Sequence, residues 1–168
     1  NLLLKNYNLK IFIAPRHLER VTTIIKLLKK ENIKSNFINK STKFEEDVFI
    51  INSFGKMSLY YALSDIVVLG GSFIKMGGHN PVEPASNNCV VVTGPHIYNW
   101  ENIFLDMKKN NACFICQDTN QLEKLLKKIL IKNDKIKLYK SKSYKFSKKR
   151  FFEFNKLVKI IQKKYKEV

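Results

Sequence analysis

The sequence predicts an α/β fold in which a Rossmann-like, doubly wound parallel sheet is covered by helices on both faces. Two observations carry this prediction: short runs that are apolar throughout recur along the chain, and helical spacing of apolar residues follows most of them. Strands buried on both faces read as continuous apolar runs, and parallel neighbours need a crossover that is usually a helix. We expect six strands in the order 3-2-1-4-5-6, at residues 10–14, 35–39, 48–51, 66–69, 89–93 and 113–116.

The amino-terminal part of the chain opens with a strand and a helix. Residues 10–14 form an apolar run that stops at Pro15, which lacks the N–H that a strand ladder needs. Residues 17–31 place apolar side chains three and four positions apart, with Lys and Glu between them, so they predict an amphipathic helix. Residues 35–39 and 48–51 predict two further strands, and the polar residues between them predict a loop.

The middle of the chain alternates strands and helices more regularly. Residues 56–63 have helical spacing, and residues 66–69 form a strand that is apolar throughout. Residues 81–87 predict a short helix with Pro81 in its first turn, where a missing N–H costs nothing. The next strand, at 89–93, is again fully apolar, which is typical of the buried centre of a parallel sheet.

The carboxyl-terminal part ends in a basic segment. Residues 99–109 and 121–131 predict helices on either side of the strand at 113–116. Beyond residue 133, Lys alternates with aromatic residues, and apolar residues then recur at helical spacing. We therefore expect a Rossmann-like domain over residues 1–133 and basic terminal helices over residues 134–168 that pack on it. A basic amphipathic membrane helix or a nucleic-acid patch is the alternative interpretation of this segment.

The charge of the chain is strongly positive. It carries 31 Lys and Arg against 14 Asp and Glu, a formal charge of +17. A hydrophobic fraction of 45% excludes a disordered basic tail, and no apolar run approaches the ~20 residues that span a bilayer. The excess is typical either of a protein that meets a polyanion or an anionic membrane, or of solvated Lys-rich faces. Only three of these cations are arginines, Arg16, Arg20 and Arg150, and their rarity favours a specific contact for Arg16.

Three cysteines occur in a sequence without a secretory signal pattern, namely Cys89, Cys113 and Cys116. An odd number of cysteines is typical of a reducing compartment. The C-x-x-C spacing of Cys113 and Cys116 is compatible with a redox pair or half of a zinc site. However, the pair lies in a predicted strand, where residues three apart face opposite sides. We therefore expect buried structural cysteines and no metal site.

The segment 70–101 concentrates the residues with special backbone conformations. Gly70-Gly71 follows a buried strand, and Gly77-Gly78 precedes the short helix that begins near Pro81. Glycine lets the backbone pass close to a ligand at the carboxyl end of a strand, where open α/β sheets bind their ligands. Backbone N–H groups before a helix also favour an anion. We predict a phosphate site at Gly78, His79 and Asn80, with Glu83 placed to accept hydrogen bonds from a ribose diol. The alternative interpretation of Glu83 is a capping residue that satisfies N–H groups of the short helix.

These residues resemble a known family. The segments Gly70-Gly71-Ser72, Gly77-Gly78-His79-Asn80-Pro81-x-Glu83-Pro84-Ala85 and Gly94-Pro95-His96 are similar to the carboxyl-terminal half of bacterial 3-deoxy-D-manno-octulosonic acid (Kdo) transferases. The segment Ala14-Pro15-Arg16-His17-x-Glu19-Arg20 and residues 54–65 extend the resemblance, which covers about residues 10–132.

The resemblance implies one Rossmann-like half of a GT-B glycosyltransferase fold, the half that binds the donor CMP-Kdo. It implies transfer of Kdo to a lipid A precursor in lipopolysaccharide biosynthesis, at the anionic cytoplasmic face of the bacterial inner membrane. The catalytic Glu of the family lies in an amino-terminal domain. The chain does not begin with Met, so we expect an excerpt of a longer enzyme that binds nucleotide but does not turn over alone. Neither a cofactor nor a nucleic-acid partner is implied.

The resemblance also implies donor-binding roles for eight residues, and no catalytic residue is expected in this chain. Arg16 would fork onto the phosphate, and Met57 would pack by the cytosine. Gly71 and Ser72 would approach the phosphate or the sugar, and Glu83 would bind the ribose hydroxyls. The full set is Arg16, Met57, Gly71, Ser72, Gly78, His79, Asn80 and Glu83, with His17 and His96 as possible cleft residues.

Two other classes of function are compatible with the sequence. Another GT-B nucleotide-sugar enzyme, such as a UDP-sugar transferase or an epimerase, would share the predicted fold. A basic module that binds RNA or a membrane would use the charge of +17, but it would leave the pattern of residues 70–96 unexplained.

Overall fold

Residues 2–39, 42–53 and 55–166 are described by the computed structural model of the chain. Their contacts divide the chain into two units, Asn1–Met57 and Ser58–Val168. Part of the loop predicted between the second and third strands, and the motif residue Phe54, lie outside the described residues.

The amino-terminal unit contains a three-stranded parallel sheet in the order β1-β3-β2. Strand β3 lies in the middle, and its Val48 is aligned with Ile11 on one side and with Ser35 on the other. Every residue of β3 is buried. The elements of this unit are α1 (Leu2–Asn6), β1 (Ile11–Ile13), a 3-10 turn (Leu18–Arg20), α2 (Val21–Lys30), β2 (Ser35–Phe37) and β3 (Val48–Ile50).

The predicted order of these three strands is wrong, because it placed the second strand between the first and the third. Strand β2 has the sequence Ser-Asn-Phe, and Asn36 at its centre is exposed, which suits an edge strand. Strand β3 has the sequence Val-Phe-Ile and is buried along its whole length. A strand that is apolar on both faces gains most from the central place, where strands flank it on both sides.

The carboxyl-terminal unit contains a second three-stranded parallel sheet, in the predicted order β4-β5-β6. Helix α3 begins at Met57, the last residue of the first unit, and continues into the second. The elements are α3 (Met57–Ala62), β4 (Ile66–Val68), α4 (Val82–Ser86), β5 (Val90–Thr93), α5 (Glu101–Lys109), β6 (Cys113–Ile115), α6 (Thr119–Leu130) and α7 (Asn133–Lys166).

Helices cover both faces of this second sheet, as a doubly wound fold requires. Successive residues of β5 point to opposite faces: Val91 joins a core cluster with Phe104 and Met107 of α5, whereas Val92 joins a cluster with Ile129 of α6. All four residues of β5 are buried, so the strand is central. Because β4 pairs with β5 in parallel, the carboxyl ends of these two strands lie next to each other.

The last helix, α7, is continuous over 34 residues rather than divided into the several terminal helices that we predicted. As far as Arg150, the helix packs on the rest of the second unit: Phe146 is buried in the core, the Lys140 ammonium lies 2.6 Å from the Asp65 carboxylate, and Arg150 pairs with Asp106 at 3.0 Å. Its second half presents exposed apolar residues that include Phe151, Phe152, Phe154 and Leu157. Among the described residues, no helix combines the length and the apolar character needed to cross a membrane.

Candidate functional site

Two loops meet at the carboxyl ends of β4 and β5. The first, the glycine loop, comprises residues 70–78, and the second, the histidine loop, comprises residues 94–99. Several hydrogen bonds join the two loops, although more than 15 positions separate them in sequence. This edge of a parallel sheet is where open α/β folds bind their ligands, so the two loops form the candidate site.

Ser72 fastens the beginning of the glycine loop. Its hydroxyl donates a hydrogen bond to the carbonyl oxygen of Leu69 at 2.7 Å and accepts one from the Gly94 N–H at 2.8 Å. Its own carbonyl accepts a bond from the His96 N–H at 2.9 Å. Ser72 is 0% exposed, so its hydroxyl is used inside the protein. The structure therefore gives Ser72 a supporting role in place of the predicted direct contact with the donor.

Glycines make this close approach possible. A Cβ atom at Gly94 would collide with the backbone of Ser72 and Phe73, so the second loop passes directly against the first only because residue 94 has no side chain. Gly77 has φ of +82°, and a Cβ atom there would collide with Tyr98 and Asn99. The close contacts at Gly94 and Gly77 could not be predicted from the sequence, because they form between loops that are distant in sequence.

The other end of the glycine loop returns to its start. Gly78 is buried, has φ of +73° and donates its N–H to the carbonyl oxygen of Gly71 at 3.1 Å. The Gly78 N–H is thus bonded within the loop, and the anion nest of Gly78, His79 and Asn80 stays a prediction. Positions corresponding to Cβ atoms of Gly70 and Gly71 lie 3.8 and 3.7 Å from the His79 ring, which are ordinary contact distances, so the ring lies directly beside this glycine pair.

Helix α4 follows, and Asn80 forms its start. The side-chain oxygen Oδ1 of Asn80 accepts a hydrogen bond from the Val82 N–H at 2.9 Å, which satisfies one of the free donors of the first turn. Pro81 is fully buried beside it. The side-chain oxygen of Asn80 thus acts within the protein.

Glu83 lies in the first turn of α4 and is exposed. Its backbone carbonyl accepts bonds from Ser86 and Asn87, while the carboxylate lies near Tyr61. Burial, with the Glu83 and Cys89 charges as lesser causes, raises the pKa of Tyr61 to about 12. An exposed carboxylate on a short helix beside the two loops is available to accept hydrogen bonds from a ligand. Tyr61 was missed from sequence, because only the fold brings α3 beside α4.

Three predicted site residues belong to the amino-terminal unit. Arg16 is exposed after β1, and Met57 is half-buried at the start of α3. His17 is exposed, and its Nδ1 lies 3.5 Å from Glu19 Oε1. That these residues join the two loops in one site stays a prediction. His96, by contrast, lies in the histidine loop itself, and its carbonyl would be 3.2 Å from a Cβ atom at Gly78.

The cysteines take no part in the site. Cys89, Cys113 and Cys116 are all buried and free, which confirms the prediction of structural cysteines. Burial raises the pKa of the Cys89 thiol to about 11 and that of Cys113 to about 12, so neither is activated as a nucleophile. Within residues 2–39, 42–53 and 55–166, no three His, Cys, Asp or Glu side chains are grouped so that they could hold a metal ion.

Comparison with known proteins relates this site to one family. The chain is 43% identical over 107 residues to a 3-deoxy-D-manno-octulosonic acid transferase of Haemophilus influenzae, and this match covers 61% of the chain and 25% of the relative. It is 31% identical over 150 residues to the corresponding enzyme of Rickettsia typhi, with 88% of the chain and 32% of the relative covered. The chain thus spans about a quarter to a third of the length of these curated relatives. No protein-family model matches the sequence.

Comparison with solved structures relates the chain to the same group of enzymes. The C-terminal CMP-Kdo binding domain of WaaA from Acinetobacter baumannii superimposes with a TM-score of 0.78 at 27% identity, covering 86% of this chain and 77% of that one. This likeness confirms the predicted fold class, the Rossmann-like half of a GT-B glycosyltransferase. By sequence and by fold, the chain therefore matches the carboxyl-terminal domain of the 3-deoxy-D-manno-octulosonic acid transferases.

Proposed function

We propose that this chain binds the nucleotide of CMP-Kdo, as the donor-binding part of an enzyme that transfers Kdo to a lipid A precursor. The observation that carries the proposal is the pair of interlocked loops at the carboxyl ends of β4 and β5, with exposed Glu83 beside them. The likeness to a domain that binds CMP-Kdo supports the same conclusion. A preformed loop pair lowers the cost of binding, because little ordering remains to be done when the ligand arrives.

In this proposal, different residues bind the ribose, the phosphate and the cytosine of the nucleotide. The Glu83 carboxylate accepts hydrogen bonds from the ribose hydroxyls, and Gly71 provides close approach of the backbone. His79 and Asn80 lie beside the phosphate, where Arg16 supplies the charge through its fork of N–H donors. Met57 packs on the cytosine, His17 and His96 line the cleft, and Ser72 and Gly78 act indirectly by holding the glycine loop.

The reaction in this proposal is a glycosyl transfer. The bond between the anomeric carbon of Kdo and the CMP phosphate oxygen breaks, a hydroxyl oxygen of the acceptor forms the new glycosidic bond, and its proton passes to a general base. CMP leaves with the bonding electrons. We assign no catalytic residue to this chain, and we propose that the base is a Glu in another domain of the enzyme. Because CMP carries one phosphate, binding it requires less charge than a diphosphate donor.

Calorimetric titration of the chain with CMP tests the donor assignment. We expect saturable binding of CMP and weaker binding of UDP; binding of UDP without CMP would overturn the assignment and favour a UDP-sugar enzyme. Glu83→Gln and Arg16→Ala should each weaken CMP binding about tenfold or more, because each removes a charged hydrogen-bond partner of the ligand. Glu101→Gln and Arg20→Ala are the matched controls, since both side chains are exposed and neither is assigned to the site. Unchanged affinity in Glu83→Gln would contradict the ribose assignment.

We also propose that the enzyme works at an anionic membrane surface, where its lipid acceptor would lie. The charge of +17 and the exposed second half of α7 support this, since Phe151, Phe154 and Leu157 there are each more than half exposed. Cosedimentation with vesicles of anionic lipid should show binding that falls as salt rises, whereas vesicles of neutral lipid should bind weakly. Absence of binding would overturn the proposal, and tight binding of RNA with a steep salt dependence would favour a nucleic-acid module.

A further inference from the structure

We propose that Asn99, together with Tyr98, is a positioning residue that holds the glycine loop in its donor-binding shape without touching the donor. This inference rests on the proposed function, because it assumes that the glycine loop binds CMP. It concerns residues outside the predicted site, which the pattern of residues 70–83 did not include.

Asn99 contacts the glycine loop at two consecutive carbonyl groups. Its side-chain Nδ2 donates a hydrogen bond to the Met76 carbonyl oxygen at 3.0 Å, and its backbone N–H donates one to the Gly77 carbonyl oxygen at 3.2 Å. Both acceptors immediately precede Gly78 and His79, which form the turn into α4. The position of that turn therefore depends on where Asn99 holds residues 76 and 77.

Tyr98 extends the same clamp by one residue. Its hydroxyl donates a hydrogen bond to the Lys75 carbonyl oxygen at 2.9 Å, while the ring lies beside Gly77. Three successive carbonyl groups of the glycine loop, at residues 75, 76 and 77, thus accept hydrogen bonds from two adjacent residues of the histidine loop.

The middle of the glycine loop, residues 74–76, needs this clamp because its own packing is sparse. Ile74 and Met76 are both more than half exposed, so little buried apolar area keeps them in place. Tyr98 and Asn99 are exposed as well, and removing their polar atoms therefore leaves the core of the unit intact. In variants that lack these polar atoms, we expect the loop to sample other conformations in the free protein, so that ligand binding must order it again.

The test combines CMP affinity with hydrogen exchange in the full 168-residue chain. Asn99→Ala and Tyr98→Phe should each weaken CMP binding about threefold, and the double variant about tenfold, at a nearly unchanged melting temperature. Amides of residues 73–78 should exchange faster in the double variant than in wild type, and saturating CMP should restore their protection. Asn102→Ala and Tyr165→Phe serve as controls, because both side chains are exposed and lie outside the two loops.

Each outcome decides the proposal. Unchanged exchange of residues 73–78 in the double variant would show that Tyr98 and Asn99 do not hold the loop, whatever the fate of the donor assignment. Wild-type affinity in the double variant, with wild type binding CMP, would overturn the positioning role alone. If wild type itself fails to bind CMP, the proposed function falls and the positioning role falls with it. Faster exchange that CMP reverses would support both.

Discussion

The Ser72 hydroxyl accepts a hydrogen bond from the Gly94 N–H at 2.8 Å, across 22 positions of sequence. The same hydroxyl donates to the Leu69 carbonyl oxygen, so one small side chain joins the end of β4 to the end of β5. Because these ends carry the glycine loop and the histidine loop, this link helps to hold the two loops of the candidate site together.

Replacing this hydroxyl should be costly. Ser72→Ala leaves the Gly94 N–H without its partner in a buried position, so we expect the free energy of unfolding to fall by about 1–3 kcal/mol. Urea denaturation followed by circular dichroism measures the change. Ser86→Ala is the matched control, since that hydroxyl is exposed and bonds only within α4, and it should cost less than about 0.5 kcal/mol. Equal effects of the two substitutions would show that the Ser72 link contributes nothing special.

The absence of a side chain at residue 94 should matter as much. Gly94→Ala places a Cβ atom against the backbone of Ser72 and Phe73, where neither loop can yield easily, and we expect a loss of about 1–3 kcal/mol or failure to fold. Gly70→Ala is the control, because a Cβ atom there meets only the His79 ring at an ordinary distance of 3.8 Å. A Gly94→Ala protein as stable as Gly70→Ala would contradict the interlocked arrangement.

The stability of the second unit should depend on the packing of α5 against β5. Phe104 is fully buried and belongs to the core cluster that contains Val91, whereas the adjacent Leu105 is 43% exposed. Phe104→Ala should lower the free energy of unfolding by about 3–5 kcal/mol, and Leu105→Ala by less than about 1 kcal/mol. The two neighbouring substitutions, compared by denaturant titration, test whether the predicted helix presents the face seen here.

Thiol reactivity offers a simple check of the core. Burial raises the pKa of Cys89 to about 11 and of Cys113 to about 12, and it raises the pKa of Cys116 as well. At pH 8 we therefore expect all three thiols to react very slowly with a disulfide reagent in the native protein, and rapidly once the chain is unfolded. Rapid reaction of even one thiol under native conditions would place that cysteine outside the core.

The same shifts predict a loss of stability at alkaline pH. A thiol ionises near its ordinary value of 9.0 in the unfolded chain but near 11 for Cys89 and 12 for Cys113 in the folded one. Above about pH 9 the unfolded state therefore binds fewer protons than the folded state, so stability falls as pH rises toward 12. The double variant Cys89→Ala/Cys113→Ala should lose less stability over this range, as melting curves at pH 8 to 11 would show.

Much of the fold was predictable because it depends on local pattern. The apolar runs that became β3, β5 and β6 are continuous in sequence, and the order of the second sheet follows from right-handed crossovers between consecutive strands. The strand order of the first sheet was predicted wrongly, with the second strand in the centre. Its sequence, Ser-Asn-Phe, is too polar for a central strand, and β2 lies at the edge. Helix α1 was not predicted at all.

For the candidate site, the position of the two loops was predictable, whereas their contacts were not. Glycine pairs after a strand and before a helix indicated which edge of the sheet would carry it. The role of each residue was less accessible, because the partners of Ser72, Gly78 and Asn99 are fixed by contacts between separate loops. Sequence spacing shows that glycine is present, but only the fold shows whether it serves a ligand or makes room for another loop.

The interlocking of Gly94 with Ser72 has a consequence for protein engineering. Residues 70–80 carry the recognisable motif, yet transplanting them alone onto another parallel sheet would leave the loop without the strand end and the Tyr98–Asn99 pair that shape it. A transplant that keeps these contacts needs the continuous stretch from Leu69 to Trp100, which brings α4 and β5 with it. What resembles a short sequence motif is a supersecondary module of two loops, one helix and one strand.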